Sequence, residues 1–196
     1  MCSISLLVLM GCSWINSTGY KTFEIDKKVY KFSFEYPSGY NLDTYFSQDL
    51  IYSNISLSLP WKSYRHQNPE PGAKIGEMVN WQHTPGFFEI LVWGNSKSFT
   101  TAKEELDNDL IKRESAWESF NLLERSQILV SGVDCESALF TDSVLALNPD
   151  NPIKYYKRVY FKNMDSFYII RFECESDLFE QVSQDFQHVL DTFHLY

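Results

Sequence analysis

Apolar and polar residues alternate from Lys28 to Tyr36, placing Tyr30, Phe32, Phe34 and Tyr36 on one side until Pro37-Ser38-Gly39 stops the run. Period-two alternation of this kind predicts a half-buried strand ending in a turn. The same period returns from Asn54 to Leu59 through Ile55, Leu57 and Leu59. Gly76 to Gln82 and Phe87 to Trp93 read as a strand pair, with Thr84-Pro85-Gly86 as the hairpin signal between them. In the second of these runs both sides are apolar, Phe88, Ile90 and Val92 against Leu91 and Trp93, which predicts a central strand covered on both faces.

The period then lengthens. Thr101-Ala102-Lys103-Glu104 has the spacing of a capping box, and Leu106, Leu110 and Trp117 follow at helical intervals, predicting a helix over 101–118. Four more strands are expected at 120–130, 133–144, 155–162 and 167–174, with turns at Gly132 and Asn163-Met164-Asp165 and a loop at 147–152. The last segment, Asp177 to Leu195, carries an apolar stripe of Phe179, Val182, Phe186, Val189, Leu190 and Phe193 opposite Glu180, Gln184, Gln187 and Asp191. That predicts an amphipathic helix laid on the core, capped by Asp177. Strands grouped around one helix, with a second helix at the end, predict an α+β domain built on a mostly antiparallel sheet.

A chain of 196 residues with 44% hydrophobic content suits one such domain. Twenty-six acidic residues against 17 basic ones give a net charge of -9, which repels phosphate backbones and gives no attraction to an anionic membrane surface; nucleic acid is not an expected partner. The one continuous apolar stretch, Ile4 to Met10, is far shorter than the ~20 residues a spanning helix needs and has the length of a signal-peptide core.

Val8-Leu9-Met10-Gly11-Cys12 resembles the lipobox of bacterial lipoproteins, with Leu9 three residues before the cysteine and the small Gly11 immediately before it. The resemblance implies cleavage between Gly11 and Cys12, and a fatty-acylated (palmitate-type) diacylglyceryl group on the Cys12 sulfur. Residues 1–11 are then signal, 12–22 a lipidated tether and 23–196 the domain. Such a chain is expected to be lipid-anchored to a bacterial cell membrane on its extracytoplasmic side.

The order of elements carries a second resemblance. Tyr-Lys-Phe-Ser-Phe-Glu-Tyr-Pro-Ser-Gly-Tyr at 30–40, the middle helix, the Gly132-Val133 turn and the final helix ending in Thr192-Phe193 are similar to the PsbP/Mog1 group. Its members include extrinsic proteins of photosystem II and related bacterial lipoproteins. The resemblance implies an α/β/α sandwich around an antiparallel sheet, and a fold of this kind does not by itself carry a function.

Candidate chemistry is sparse. His188 stands three residues from both Asp185 and Asp191 on the final helix, short of the three or four converging ligands a metal needs. No catalytic constellation, cofactor motif or metal spacing stands out. Cys135 and Cys174, each on a predicted strand, are either a disulfide or two buried thiols. The Pro-rich stretch from Pro60 to Gly76 is expected to be a long loop, and its Trp61, Tyr64, Arg65 and His66 are candidate binding residues, because these types concentrate at interface hot spots. The resulting expectation is a non-enzymatic binding or accessory module that contacts a protein or envelope component. Its rivals are an envelope hydrolase acting on glycans, with two facing carboxylates, and a small-ligand carrier that uses the aromatic-rich sheet.

Overall fold

The alternating runs become strands of three antiparallel sheets. The computed structural model describes residues 19–27, 30–47, 52–60, 62–67, 78–94, 99–116, 119–142 and 153–196. In chain order these form β1 (Tyr20–Asp26), β2 (Lys31–Pro37), β3 (Asn41–Phe46), β4 (Tyr52–Ser58), β5 (Lys62–Gln67), β6 (Met78–His83) and β7 (Gly86–Gly94). After them come α1 (Ala102–Ala116), β8 (Asn121–Val130), β9 (Val133–Asp142), β10 (Lys154–Asn163), β11 (Ser166–Glu175), α2 (Phe179–Asp191) and β12 (His194–Leu195). The main sheet runs β3-β4-β7-β11-β10-β9-β8, a second runs β1-β2-β12, and β5 pairs with β6. Every pairing is antiparallel, so the α+β class read from the sequence holds.

Strand parity divides the core in two. Ile55, Leu57, Phe88, Ile90, Val159, Phe161, Tyr168, Ile170 and Phe172 face one way, packing with Phe32, Phe34, Val182, Phe186, Val189 and Phe193 from β2 and the α2 segment. Ala138, Phe140, Tyr156, Tyr160 and Phe167 have the opposite parity and pack with Leu106 and Leu110 of α1. In α2 the predicted stripe is buried at Val182, Phe186, Val189 and Leu190, while Glu180, Gln184, Gln187 and Asp191 are exposed. Burying such an amphipathic face, rather than helix propensity, supplies most of the stability of a 13-residue helix.

Helix ends behave differently from each other. At α1 the capping box forms: Thr101 Oγ1 accepts from Glu104 N at 3.1 Å, and Glu104 Oε2 accepts from Thr101 N at 3.0 Å. The two bonds satisfy orphan amides reciprocally, and the Thr101 backbone N–H, then the Thr101 and Thr100 hydroxyls, hold the Glu104 carboxyl below its usual range. At α2 the N-cap position falls on Leu178 and not on the expected Asp177; a 3-10 turn, Ser176–Leu178, leads in and Leu178 makes no side-chain cap bond.

Three other expectations change. The stretch read as a loop after Pro60 contains strand β5, and the strand expected to pair with β7 across Thr84-Pro85-Gly86 pairs with β5 instead. β7 lies between β4 and β11 in the main sheet, the covered central position its two apolar faces predicted. The tether expected to run to residue 22 gives way at Tyr20, because Tyr20, Lys21 and Thr22 already pair with Pro37, Tyr36 and Glu35 of β2.

Candidate functional site

Of the residues singled out from sequence, Gly11, Cys12 and Trp61 lie outside the described residues. Tyr64, Arg65 and His66 sit on β5, opposite Trp81, Asn80 and Val79 of β6. His188 does not gather Asp185 and Asp191 around itself. Its Nε2 lies 3.2 Å from Glu35 Oε2 and its ring stacks on Tyr20 at 3.8 Å, joining α2 to the β1–β2 ribbon. Asp185 accepts from the Tyr40 hydroxyl at 2.9 Å, and Asp191 accepts from Gln187. Burial pushes the Asp185 carboxyl above its usual range, against the Tyr40 bond that pulls it down. Among the described residues no three His, Cys, Asp or Glu side chains converge as metal ligands, and no helix is long and apolar enough to cross a membrane.

Cys135 and Cys174 are separate, buried thiols. Cys174 lies opposite Tyr155 of β10, whereas Cys135 lies one residue beyond Glu136, the partner of Tyr160. At ~3.4 Å per residue this spacing places them about 20 Å apart along the sheet, with β10 between, whereas a disulfide needs Cα atoms within ~7 Å. Burial pushes both thiols up to about 12. In a Cys2→Ser, Cys12→Ser background at pH 8 only about 10⁻⁴ of each thiol would be ionised. Ellman's reagent should therefore find neither in the folded chain and both after denaturation. Rapid reaction of the folded chain would refute their burial.

Polar chemistry gathers instead on the α1 side of the main sheet. Register aligns Ser56 of β4, Glu89 of β7, Arg171 of β11, Arg158 of β10, Ala138 of β9 and Arg125 of β8 in one row. With Arg113 of α1, this face gathers four of the chain's five arginines. Like charges directly opposite one another are unfavourable, so the Arg158–Arg171 pair requires compensation. Arg171 donates from Nε and Nη2 to Glu89 Oε2. Arg125 pairs with Asp107 of α1. Arg158, only 3% exposed, has Asp109 Oδ2 at 3.7 Å from its Nε; the same carboxylate accepts from Arg113 Nε at 3.1 Å and from the Tyr160 hydroxyl at 3.2 Å. Asp109 thus points from α1 toward the sheet. Burial, then repulsion from Arg171 and Arg113, lowers Arg158 to about 10, so it stays charged at neutral pH.

Beyond α1, toward the β3 edge, the same face continues as an aromatic and polar floor. Tyr45 of β3 lies opposite Asn54 of β4, and Tyr52 lies opposite Trp93 of β7. The rings form a chain, Tyr45 to Tyr52 at 6.2 Å and Tyr52 to Trp93 at 5.1 Å. Tyr45 is 61% exposed, while Tyr52, Asn54, Glu89, Trp93 and Arg171 are half-buried. Tyr52 titrates above its usual range through burial first and then the Glu89 charge, partly offset by Arg171, which ties its hydroxyl electrostatically to that ion pair. Asn54 Nδ2 points to Glu89 Oε1 at 3.4 Å, and its Oδ1 is buried without a hydrogen-bond partner.

Sequence reasoning missed this cluster. Its signal was available: Glu89 is the one charge between Phe87 and Trp93, and Arg158 and Arg171 stand among apolar and aromatic strand residues. A charge on a strand whose faces are otherwise buried calls for a nearby partner.

No known sequence family and no curated protein matches the chain by sequence. Similar solved structures include cyanobacterial PsbP (CyanoP) from Synechocystis, with a TM-score of 0.51 and 14% identity, covering 96% of this chain and 99% of that one. They also include the Ran-binding protein Mog1p of Saccharomyces cerevisiae, with a TM-score of 0.50 and 10% identity, covering 90% and 95%. At these identities the likeness concerns the fold alone, and the chain has a PsbP- and Mog1p-like fold.

Proposed function

We propose that the chain is an extracytoplasmic lipoprotein, anchored to a bacterial cell membrane through Cys12, whose domain serves as a non-enzymatic binding module. The observation that carries this reading is the Leu9-Met10-Gly11-Cys12 pattern standing a few residues ahead of strand β1, which starts at Tyr20. An acidic domain has no electrostatic pull toward anionic lipid, so a covalent anchor is the physical means of holding it there. Two acyl chains bind stably where one binds only marginally. Helices facing the sheet from both sides in an α/β/α sandwich leave strand faces and edges as the surface offered to a protein or envelope partner.

Ring-on-ring packing favours this reading over a carrier. Phe161 stacks on Tyr168 at 4.8 Å, Phe140 on Tyr156 at 5.2 Å and Phe99 on Phe167 at 4.4 Å, so these aromatics fill the core with one another. On the α1 side the carboxylates of Asp109 and Glu89 are both engaged by guanidinium groups, an arrangement that favours structure over glycosidic chemistry.

Metabolic labelling with an alkyne fatty acid tests the anchor. The full chain should take up label and sediment with membranes, and Cys12→Ser should lose both properties. Persistent labelling of that variant, or a wild-type product intact from Met1 and recovered with soluble contents, would end the proposal.

A further inference from the structure

Toward the β3 edge the α1-side face has an unusual balance of chemistry. Its charge is internally spent: Glu89 Oε2 takes two bonds from Arg171, so the pair offers a bound ion little net charge. What is left over is hydrogen-bond acceptance. Among the described residues Glu89 Oε1 holds only the long 3.4 Å contact from Asn54 Nδ2, and Asn54 Oδ1, below the surface, has no protein partner. Turning the Asn54 amide over would set its oxygen against the Glu89 carboxylate, so the Glu89 contact fixes the assignment with Oδ1 unpaired. An unpaired acceptor is costly, and Asn54 Oδ1, which has no exposed surface where it stands, recovers that cost with a ligand donor once the half-buried Asn54 side chain turns outward. Beside these acceptors stand Tyr45, Tyr52 and Trp93, which offer apolar ring surface at the β3 edge, where a chain-like ligand can enter and leave the sheet.

From these features we infer that Tyr45, Tyr52, Asn54, Glu89, Trp93 and Arg171 form a binding site for a neutral saccharide. A sugar ring presents hydroxyl donors at its rim and aliphatic C–H surface on its faces, matching acceptors set beside aromatic rings. A quaternary ammonium group would share the aromatic preference, but it requires negative charge that Arg171 has already neutralised. An oxyanion would have to compete with Glu89 for Arg171, whose Nε and Nη2 already donate to Glu89 Oε2. The inference deepens the binding-module reading and rests on it.

The test is an NMR titration of the full ¹⁵N-labelled chain in detergent micelles, with cellotriose, maltotriose and the N-acetylglucosamine trimer as separate probes. At least one should shift the Trp93 indole N–H and the Asn54 side-chain amide, saturating at ~1 mM as befits a small, half-buried site. Choline and inorganic phosphate should leave those resonances in place. Tyr45→Ala, on a side chain 61% exposed, keeps the fold and should weaken binding about tenfold. Tyr52→Phe, which keeps the ring, should retain it. The inference is overturned if no trisaccharide moves those two resonances, if choline or phosphate saturates them, or if Tyr45→Ala binds as tightly as wild type. Any of these with fatty-acid labelling of Cys12 intact would remove the saccharide and leave the anchored module standing.

Discussion

Phe193→Ala is expected to destabilise the domain by about 3–5 kcal/mol, a large share of the ~5–15 kcal/mol that holds a typical domain folded. Phe193 is 1% exposed and sits where α2, the small sheet and the main sheet meet. Its ring stacks on Phe32 at 5.1 Å and Phe34 at 6.2 Å, and meets Phe161 and Tyr168 edge-on at 6.1 and 6.3 Å. Truncation removes a large transfer term and opens a cavity among rings that cannot all collapse into it. The position is held by the backbone as well. Thr192 donates to the His188 carbonyl at 2.8 Å and accepts from Glu35 N at 3.0 Å, then β12 pairs with β2. Urea unfolding should show a lower midpoint with little change in slope. Met164→Ala, at an 84% exposed turn residue, is the control and should shift the midpoint hardly at all. A loss below about 1 kcal/mol at Phe193 would mean that the two sheets do not share this packing.

The same residue shows why much of the fold could be read in advance. Phe193 belongs to a stripe with a 3.6-residue period, and Tyr30, Phe32, Phe34 and Tyr36 belong to a run of period two; the structure buries all five. Periodicity reports which side of an element faces apolar surroundings, and burial is what folding rewards. It does not report which strand lies beside which. β6 was expected to pair with β7 because a turn signal separates them, yet β7 is claimed by β4 and β11 through seven- and nine-residue registers that bury its apolar faces. Long-range packing overrode a local turn preference there. The Cys135–Cys174 question fell to the same limit: both residues lie on one face, and only the register reveals their separation along it.

The charged row was invisible for a related reason. Arg125, Arg158 and Arg171 lie 13 to 46 positions apart in sequence and become neighbours only when β8, β9, β10 and β11 align. Once aligned, they turn one face of the sheet into a ladder of ion pairs that ends at Glu89, and the saccharide-site floor begins at that carboxylate. α1 contributes the anions Asp107 and Asp109 to one end of the ladder, and β7 contributes Glu89 to the other. The helix therefore acts as more than a hydrophobic cover: its acids make a row of arginines tolerable on a half-buried sheet.

That dependence makes Asp109 the side chain whose loss should hurt most outside the aromatic core. Asp109→Ala would strip the carboxylate that Arg113, Tyr160 and Arg158 share, leaving Arg158 buried among the positive charges of Arg113 and Arg171. Breaking a buried pair on one side in this way costs about 3–5 kcal/mol, because the remaining charge has lost both water and partner. In a domain of this size the melting temperature should fall by roughly 10–15 °C. The reverse change is expected to be mild. Arg158→Met keeps an apolar chain of similar length, removes the buried cation that lies over Phe140 and Tyr156, and leaves Asp109 with Arg113 and Tyr160, so its cost should stay within about 1–2 kcal/mol. Asp109→Ala combined with Arg158→Met should then recover part of what Asp109→Ala loses, a coupling that a double-mutant cycle measures directly. Should Arg158→Met prove the more damaging of the two single changes, Asp109 would not be the group that holds the buried guanidinium in place.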